Sequence, residues 1–184
     1  MRVISGEFKS RKLIAPKGFK TRPTLDNIKE TIFNIISPIR LNASVLDLFS
    51  GTGQIGIEFY SRGAKDVYLV DSSREAISVI NKNLESLKLN DEIKPMKMDA
   101  IRALKGPLKE KNFDYIFLDP PYKSHELLNE VLKLIISLDL LEEKGSIIIE
   151  ENKDYDLSEA ISTDDFDIDT RTIGDKIIFF IKRC

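Results

Sequence analysis

From about residue 43 onward, short apolar runs alternate with longer stretches in which apolar residues recur every three or four positions. A short run rich in β-branched residues suits a strand buried in a sheet, whereas the three/four spacing suits a helix that lays one face on it. The runs predict strands at Ser44 to Leu48, Val67 to Asp71, Ile93 to Met98, Phe113 to Leu118 and Ser146 to Glu150. Between them, Ile77, Ile80, Leu84 and Leu87 mark one apolar helix face, with Arg74, Lys82 and Glu85 on the others. A second such face follows Ser124, through Leu127, Leu128, Val131, Leu132, Ile135 and Ile136. Strands alternating with helices predict βαβ units and a parallel sheet.

The two ends depart from this alternation. Phe166 to Thr170 alternates at period two, Lys176 to Ile181 is β-branched and aromatic, and Gly174-Asp175 between them suits a two-residue hairpin turn. Strands joined so closely are antiparallel. An ordinary dinucleotide-binding sheet would continue with a helical crossover and another parallel strand. Ahead of the sheet, Leu25, Ile28, Ile32, Phe33 and Ile36 predict an amphipathic helix, ended by Pro38 and capped by Thr24 or Asp26. Residues 1 to 15 read as a β-hairpin: Val3-Ile4, a turn around Gly6 to Ser10, then Leu13-Ile14.

Length and composition narrow the class. A chain of 184 residues, 42% hydrophobic, can bury one good core, which predicts a single domain with a small appendage. The appendage is the stretch 1–21 and the domain is 22–184. No apolar run approaches the ~18 residues of a membrane span, and Met1 to Gly6 lacks the apolar stretch of a signal peptide. A cytoplasmic protein, monomeric and without membrane attachment, is expected. The one cysteine, Cys184, and the one histidine, His125, cannot form the usual zinc set, so no metal is expected. His125 reads as an exposed residue in a first helical turn.

The net charge of −2 hides an asymmetry: residues 1–22 carry +6 and the remainder −8. A basic arm on an acidic body can engage phosphates locally. Arg2, Lys9, Arg11, Lys12, Lys17 and Lys20 are therefore candidate RNA contacts; the alternative is a solvated tail.

Candidate chemistry lies at two strand ends. Val45-Leu46-Asp47-Leu48-Phe49 runs into Ser50-Gly51-Thr52-Gly53-Gln54-Ile55-Gly56, a glycine-rich turn between a strand and a helix. NAD, FAD and S-adenosylmethionine domains all use such a turn. Asp47 favours the last, because a carboxylate attracts a sulfonium and repels a pyrophosphate. Asp71, with Ser72, ends the second strand where ribose hydroxyls would be held. Asp99, before Ala100, could accept from an adenine amine or equally cap a helix.

Asp119-Pro120-Pro121-Tyr122 ends the fourth strand. An exocyclic base amine is a poor nucleophile because its lone pair is delocalised into the ring. A carboxylate and a backbone carbonyl accepting its two hydrogens favour the tetrahedral geometry needed for attack on a methyl group, and Tyr122 can stack on an extruded base. The competing reading is an ordinary acidic-proline turn.

Taken together, Met1 to Ile4, Gly6, Arg11-Lys12-Leu13, Arg22-Pro23-Thr24, Asp26, Lys29-Glu30, Phe33-Asn34, Asp47 to Gly53, Gly56, Ser61 to Ala64 and Asp119 to Tyr122 resemble the RNA small-subunit methyltransferase D family. The resemblance spans nearly the whole chain. It implies a class I S-adenosylmethionine-dependent methyltransferase fold, α/β and Rossmann-like, with a seven-stranded mostly parallel sheet whose last strand is antiparallel. It further implies methylation of a guanine N2 amine in bacterial 16S rRNA, within the small ribosomal subunit or an assembly intermediate. Arg22, Asp47, Phe49, Gly51, Thr52, Gly53, Asp71, Ser72, Asp99 and Ala100 would contact the cofactor, and Asp119, Pro120, Pro121 and Tyr122 the guanine. The chain departs from the family at Ser5 and Ser10, often Gly there, at Phe8, often Trp, and at Asn27 and Lys29, often Arg, which predicts weaker phosphate contacts at the last two.

Rival readings are an amino-methyltransferase for a DNA base or a glutamine amide, and a non-catalytic RNA-binding module. An NAD-dependent dehydrogenase ranks last.

Overall fold

The computed structural model describes residues 1–15, 23–121, 124–162 and 164–184. Among them are five α-helices and a seven-stranded sheet. The strands are β1 (Ser44–Asp47), β2 (Asp66–Asp71), β3 (Lys94–Lys97), β4 (Phe113–Leu118), β5 (Leu141–Asn152), β6 (Phe166–Ile173) and β7 (Lys176–Arg183). The helices are α1 (Pro23–Ile36), α2 (Gln54–Ser61), α3 (Arg74–Leu87), α4 (Ala100–Lys105) and α5 (His125–Ser137). No helix among the described residues is long and apolar enough to cross a membrane.

Strand order is β3-β2-β1-β4-β5-β7-β6. The first five strands pair in parallel, and β7 inserts antiparallel between β5 and β6. Ile173 pairs with Lys176 across the Gly174-Asp175 turn, where Gly174 takes φ +64°. The predicted hairpin and reversed last strand are thus present. Strand β5 extends well beyond the predicted Ser146 to Glu150, because Glu142, Glu143 and Lys144 at its start are exposed and give no apolar pattern.

Alternation along the strands sends side chains to two faces. Val45, Phe117, Ile148, Ile178 and Phe180 meet α1, α2 and α3 through Ile32, Phe33, Ile57, Phe59, Ile80 and Leu84. Leu46, Ile116, Ile147 and Ile149 meet α4 and α5 through Leu104, Leu128, Val131, Leu132 and Ile135. Each such side chain contributes about 1.5–3 kcal/mol when fully buried. Helix α3 is capped by Ser73, whose hydroxyl accepts from Ala76 N at 3.3 Å. Helix α1 begins at Pro23, so Thr24 and Asp26 lie inside it and neither is its cap; proline's fixed φ suits a first helical position.

The N-terminal segment pairs with itself as expected, but through one bridge, Arg2 with Lys12, and Ser5 to Ser10 form a turn. It does not stand free. The carboxylate of Glu58, fully buried on α2, accepts from Ile4 N at 2.8 Å and Ser5 N at 3.0 Å, and pairs with Lys29 at 3.3 Å and Arg62 at 2.9 Å. Lys29 also donates to the Arg2 carbonyl. Phosphate contact, which the family's arginine suggested for position 29, is therefore not the work of this residue. Lys29 is 1% exposed and staples the arm to α1 and α2, and burial pushes its ammonium below the ordinary lysine range despite Glu58.

Candidate active site

Strand order reverses between β1 and β4, and a crevice opens there beyond the carboxyl ends of the strands. Asp47 ends β1 in register with Phe117, so Asp119 lies two residues past the partner of Asp47. Both acids point to the α1–α3 face, and both line a cavity of about 430 Å³.

The glycine-rich turn forms one wall. Ser50 Oγ donates to the Asp47 carbonyl at 2.6 Å, and Gly53 N donates to the Ser50 carbonyl at 2.7 Å, which curls the chain into α2. Gly53 caps α2 at φ +75°, a conformation a side chain resists, and a Cβ there would press on Leu69 at 3.1 Å. Asp71 braces the turn: one oxygen accepts from Gly51 N at 2.9 Å, the other from Ser73 N at 2.8 Å. Each oxygen keeps a further lone pair.

Asp47 is 1% exposed. Its Oδ2 accepts from Gly56 N at 3.2 Å, while Oδ1 is buried without a partner. Loss of hydration pushes the carboxyl up to about 7, against the Gly56 hydrogen bond and with Asp71 adding repulsion. An unpaired buried acceptor beside a cavity matches a cationic ligand group. S-adenosylmethionine fits this test, since it carries both a sulfonium and an ammonium.

Asp119 follows β4, where Leu118 pairs with Ile149; the next residue on β5 is Glu150. Glu150 is buried, and Lys176 Nζ approaches it at 3.7 Å. Asp119 is exposed where it lines the cavity. Loss of hydration, then Glu150, Asp47 and Glu151, push its carboxyl well above the usual range, with Lys176 opposing. Burial likewise raises Glu150, again against Lys176. Pro120 is buried, and the Pro121 carbonyl accepts from Ser124 N at 3.1 Å, tying the turn to the start of α5. His125 opens α5, partly exposed, with Nε2 3.7 Å from Glu151.

Of the residues expected from sequence, Asp47, Phe49, Gly51, Thr52 and Asp119 share the cavity wall. Gly53 and Asp71 shape that wall from behind. Ser72 and Ala100 do not line it, and Asp99 caps α4 by accepting from Arg102 N at 2.9 Å. Arg2, Lys9, Arg11 and Lys12 are exposed on the arm. Arg22, Tyr122, Lys17 and Lys20 lie outside the described residues. Sequence reasoning missed Ser73, Glu75 and Ala76 at the start of α3, which the cap Ser73 directly after β2 could have signalled. It also missed Met1 and Phe117. No local pattern carries Met1, because docking of the arm brings it to the cavity.

A parallel sheet closed by a reversed strand, with a glycine-rich turn and two acids at its switch point, defines the Rossmann-like methyltransferase fold. A solved structure titled "Putative methyltransferase yhhF from Escherichia coli" superposes with a TM-score of 0.85 at 27% identity, covering 100% of this chain and 97% of that one. "Putative rRNA methyltransferase YlbH" of Bacillus subtilis is 44% identical over 162 residues, 88% of each chain. Ribosomal RNA small subunit methyltransferase D of Haemophilus influenzae is 33% identical over 158 residues, 85% of this chain and 81% of that one. The family described as Conserved hypothetical protein 95 matches residues 1–182. The chain belongs to this family, that of RNA small-subunit methyltransferase D.

Proposed function

We propose that this protein transfers a methyl group from S-adenosylmethionine to the exocyclic N2 amine of a guanine in 16S rRNA, on the small ribosomal subunit or an assembly intermediate. The observation that carries the reading is the single cavity shared by Asp47, the glycine-rich turn and Asp119. Family membership supports the rRNA substrate, and the exposed basic residues of the arm support contact with its phosphates.

Bound in this cavity, S-adenosylmethionine would supply the electrophilic methyl group, its S–C bond breaking with the electron pair left on sulfur so that S-adenosylhomocysteine departs. Asp47 offers its unpaired oxygen to a positive charge, and Gly51, Thr52 and Phe49 shape the surrounding wall. Asp119 accepts a hydrogen bond from the target amine, drawing its lone pair out of conjugation and toward the methyl carbon. After transfer, the substituted amine is acidic, and Asp119 takes its proton. A carboxyl raised above the usual range is better matched to that task than an ordinary one. Tyr122 is proposed to stack on the base, and Pro120 to supply the second acceptor.

The test is labelling: under-methylated small subunits with methyl-labelled S-adenosylmethionine should acquire label on guanine N2 of 16S rRNA. Label confined to DNA, to a protein glutamine amide or to no macromolecule refutes the reading.

A further inference from the structure

Asn83 sits within α3 with no exposed surface, among Ile80, Leu84 and Leu87. Its amide reaches two segments far apart in the chain. Oδ1 accepts from Ile14 N at 2.7 Å, and Nδ2 donates to the Ile14 carbonyl at 3.2 Å and to the Thr52 carbonyl at 3.0 Å. One side chain thus completes the backbone pairing of the basic arm and also holds a carbonyl of the cavity wall. Two neighbouring contacts run along the same seam. Thr52 Oγ1 lies 3.8 Å from Met1 Sδ, and Arg11 donates to the Ser86 carbonyl at 2.8 Å. Packing alone gives no reason for an amide here, since a leucine would fill an apolar helix face without the penalty of burying polar atoms.

We propose that Asn83 is a positioning residue coupling occupancy of the methyl-donor cavity to seating of the arm, so that donor and RNA bind with reciprocal positive cooperativity. The proposal rests on the reading of cavity and arm given above. Ordering a chain segment costs backbone entropy. A ligand that holds Thr52 in place also holds the Asn83 amide, and with it the pairing partner of Ile14; the arm then has less order to acquire on meeting phosphates. Linkage requires RNA to return the same factor to the donor site.

The test uses the full chain, S-adenosylhomocysteine and under-methylated small subunits. Calorimetry gives the affinity for S-adenosylhomocysteine with and without saturating subunits, and filter binding gives the affinity for subunits with and without S-adenosylhomocysteine. In the wild type each ligand should tighten the other by the same factor, about fivefold or more. Asn83→Leu should bring that factor close to one while both ligands still bind. Ile14→Pro, at an exposed position whose N–H donates to Asn83, removes one bond of the joint without touching the core and should give the same result even if Asn83→Leu fails to fold. A factor of one in the wild type, or an unchanged factor in Ile14→Pro, overturns the proposal alone. Failure of the wild type to bind either ligand overturns the proposed function as well.

Discussion

Replacing Asp47 with Asn should stabilise the ligand-free protein at neutral and alkaline pH while abolishing tight donor binding. The carboxyl is 1% exposed, has one hydrogen bond and is raised from 3.8 to about 7. That difference corresponds to about 4 kcal/mol, at 1.36 kcal/mol per tenfold. Because the folded value lies above the unfolded one, this stability is fully present below about pH 3.8 and is lost as pH rises through about 7. Asparagine keeps an acceptor for Gly56 N and carries no charge, but its NH2 occupies the place of the unpaired Oδ1, at about 1–3 kcal/mol. The net gain at pH 8 is then about 1–3 kcal/mol, or about 2–12 °C in Tm for a chain of this size. At pH 4 the gain should vanish or reverse. Thermal melts of both proteins from pH 4 to 8.5, paired with calorimetric titration of S-adenosylmethionine at pH 8, measure both effects. Equal melting curves at pH 8, or undiminished donor affinity in Asp47→Asn, would refute the assignment of an unpaired anion awaiting a cation.

Three further outcomes are expected. Asp119→Ala should lower single-turnover methylation by roughly 100-fold with donor affinity within about twofold of wild type, as loss of one positioned acceptor does elsewhere; a change confined to donor affinity would place Asp119 outside the chemistry. Glu150→Gln removes a negative neighbour that raises Asp119, so the acid limb of the single-turnover pH profile should move to lower pH; an unmoved limb would show that the two acids do not interact. Gly6→Ala places a Cβ 1.7 Å from the Ser61 carbonyl oxygen at φ +81°, so the arm should leave Glu58 and Ser61; trypsin cleavage at Lys9 to Lys12 should speed up severalfold and subunit affinity fall, and an unchanged digest would argue against this docking.

Much of the fold was legible because burial on both faces makes strands read as apolar runs, and a single packed face makes helices read at three/four spacing. The glycine-rich turn and Asp47 were legible for the same local reason: a strand passes directly into a helix, and the residues needed are contiguous. Asp119 was legible as a strand end but not as a neighbour of Glu150, which lies 31 positions further along the chain.

Sequence by itself determined the sheet order's raw material, the sites where the chain turns on glycine, and the basic charge of the arm, all of which depend on residues close in the chain. Tertiary structure alone decided that Lys29 is a buried staple, that Glu150 stands beside Asp119, and that Asn83 joins arm to cavity. A residue's chemistry there is set by which distant backbone groups and charges close around it, and that hydration balance has no trace in local spacing.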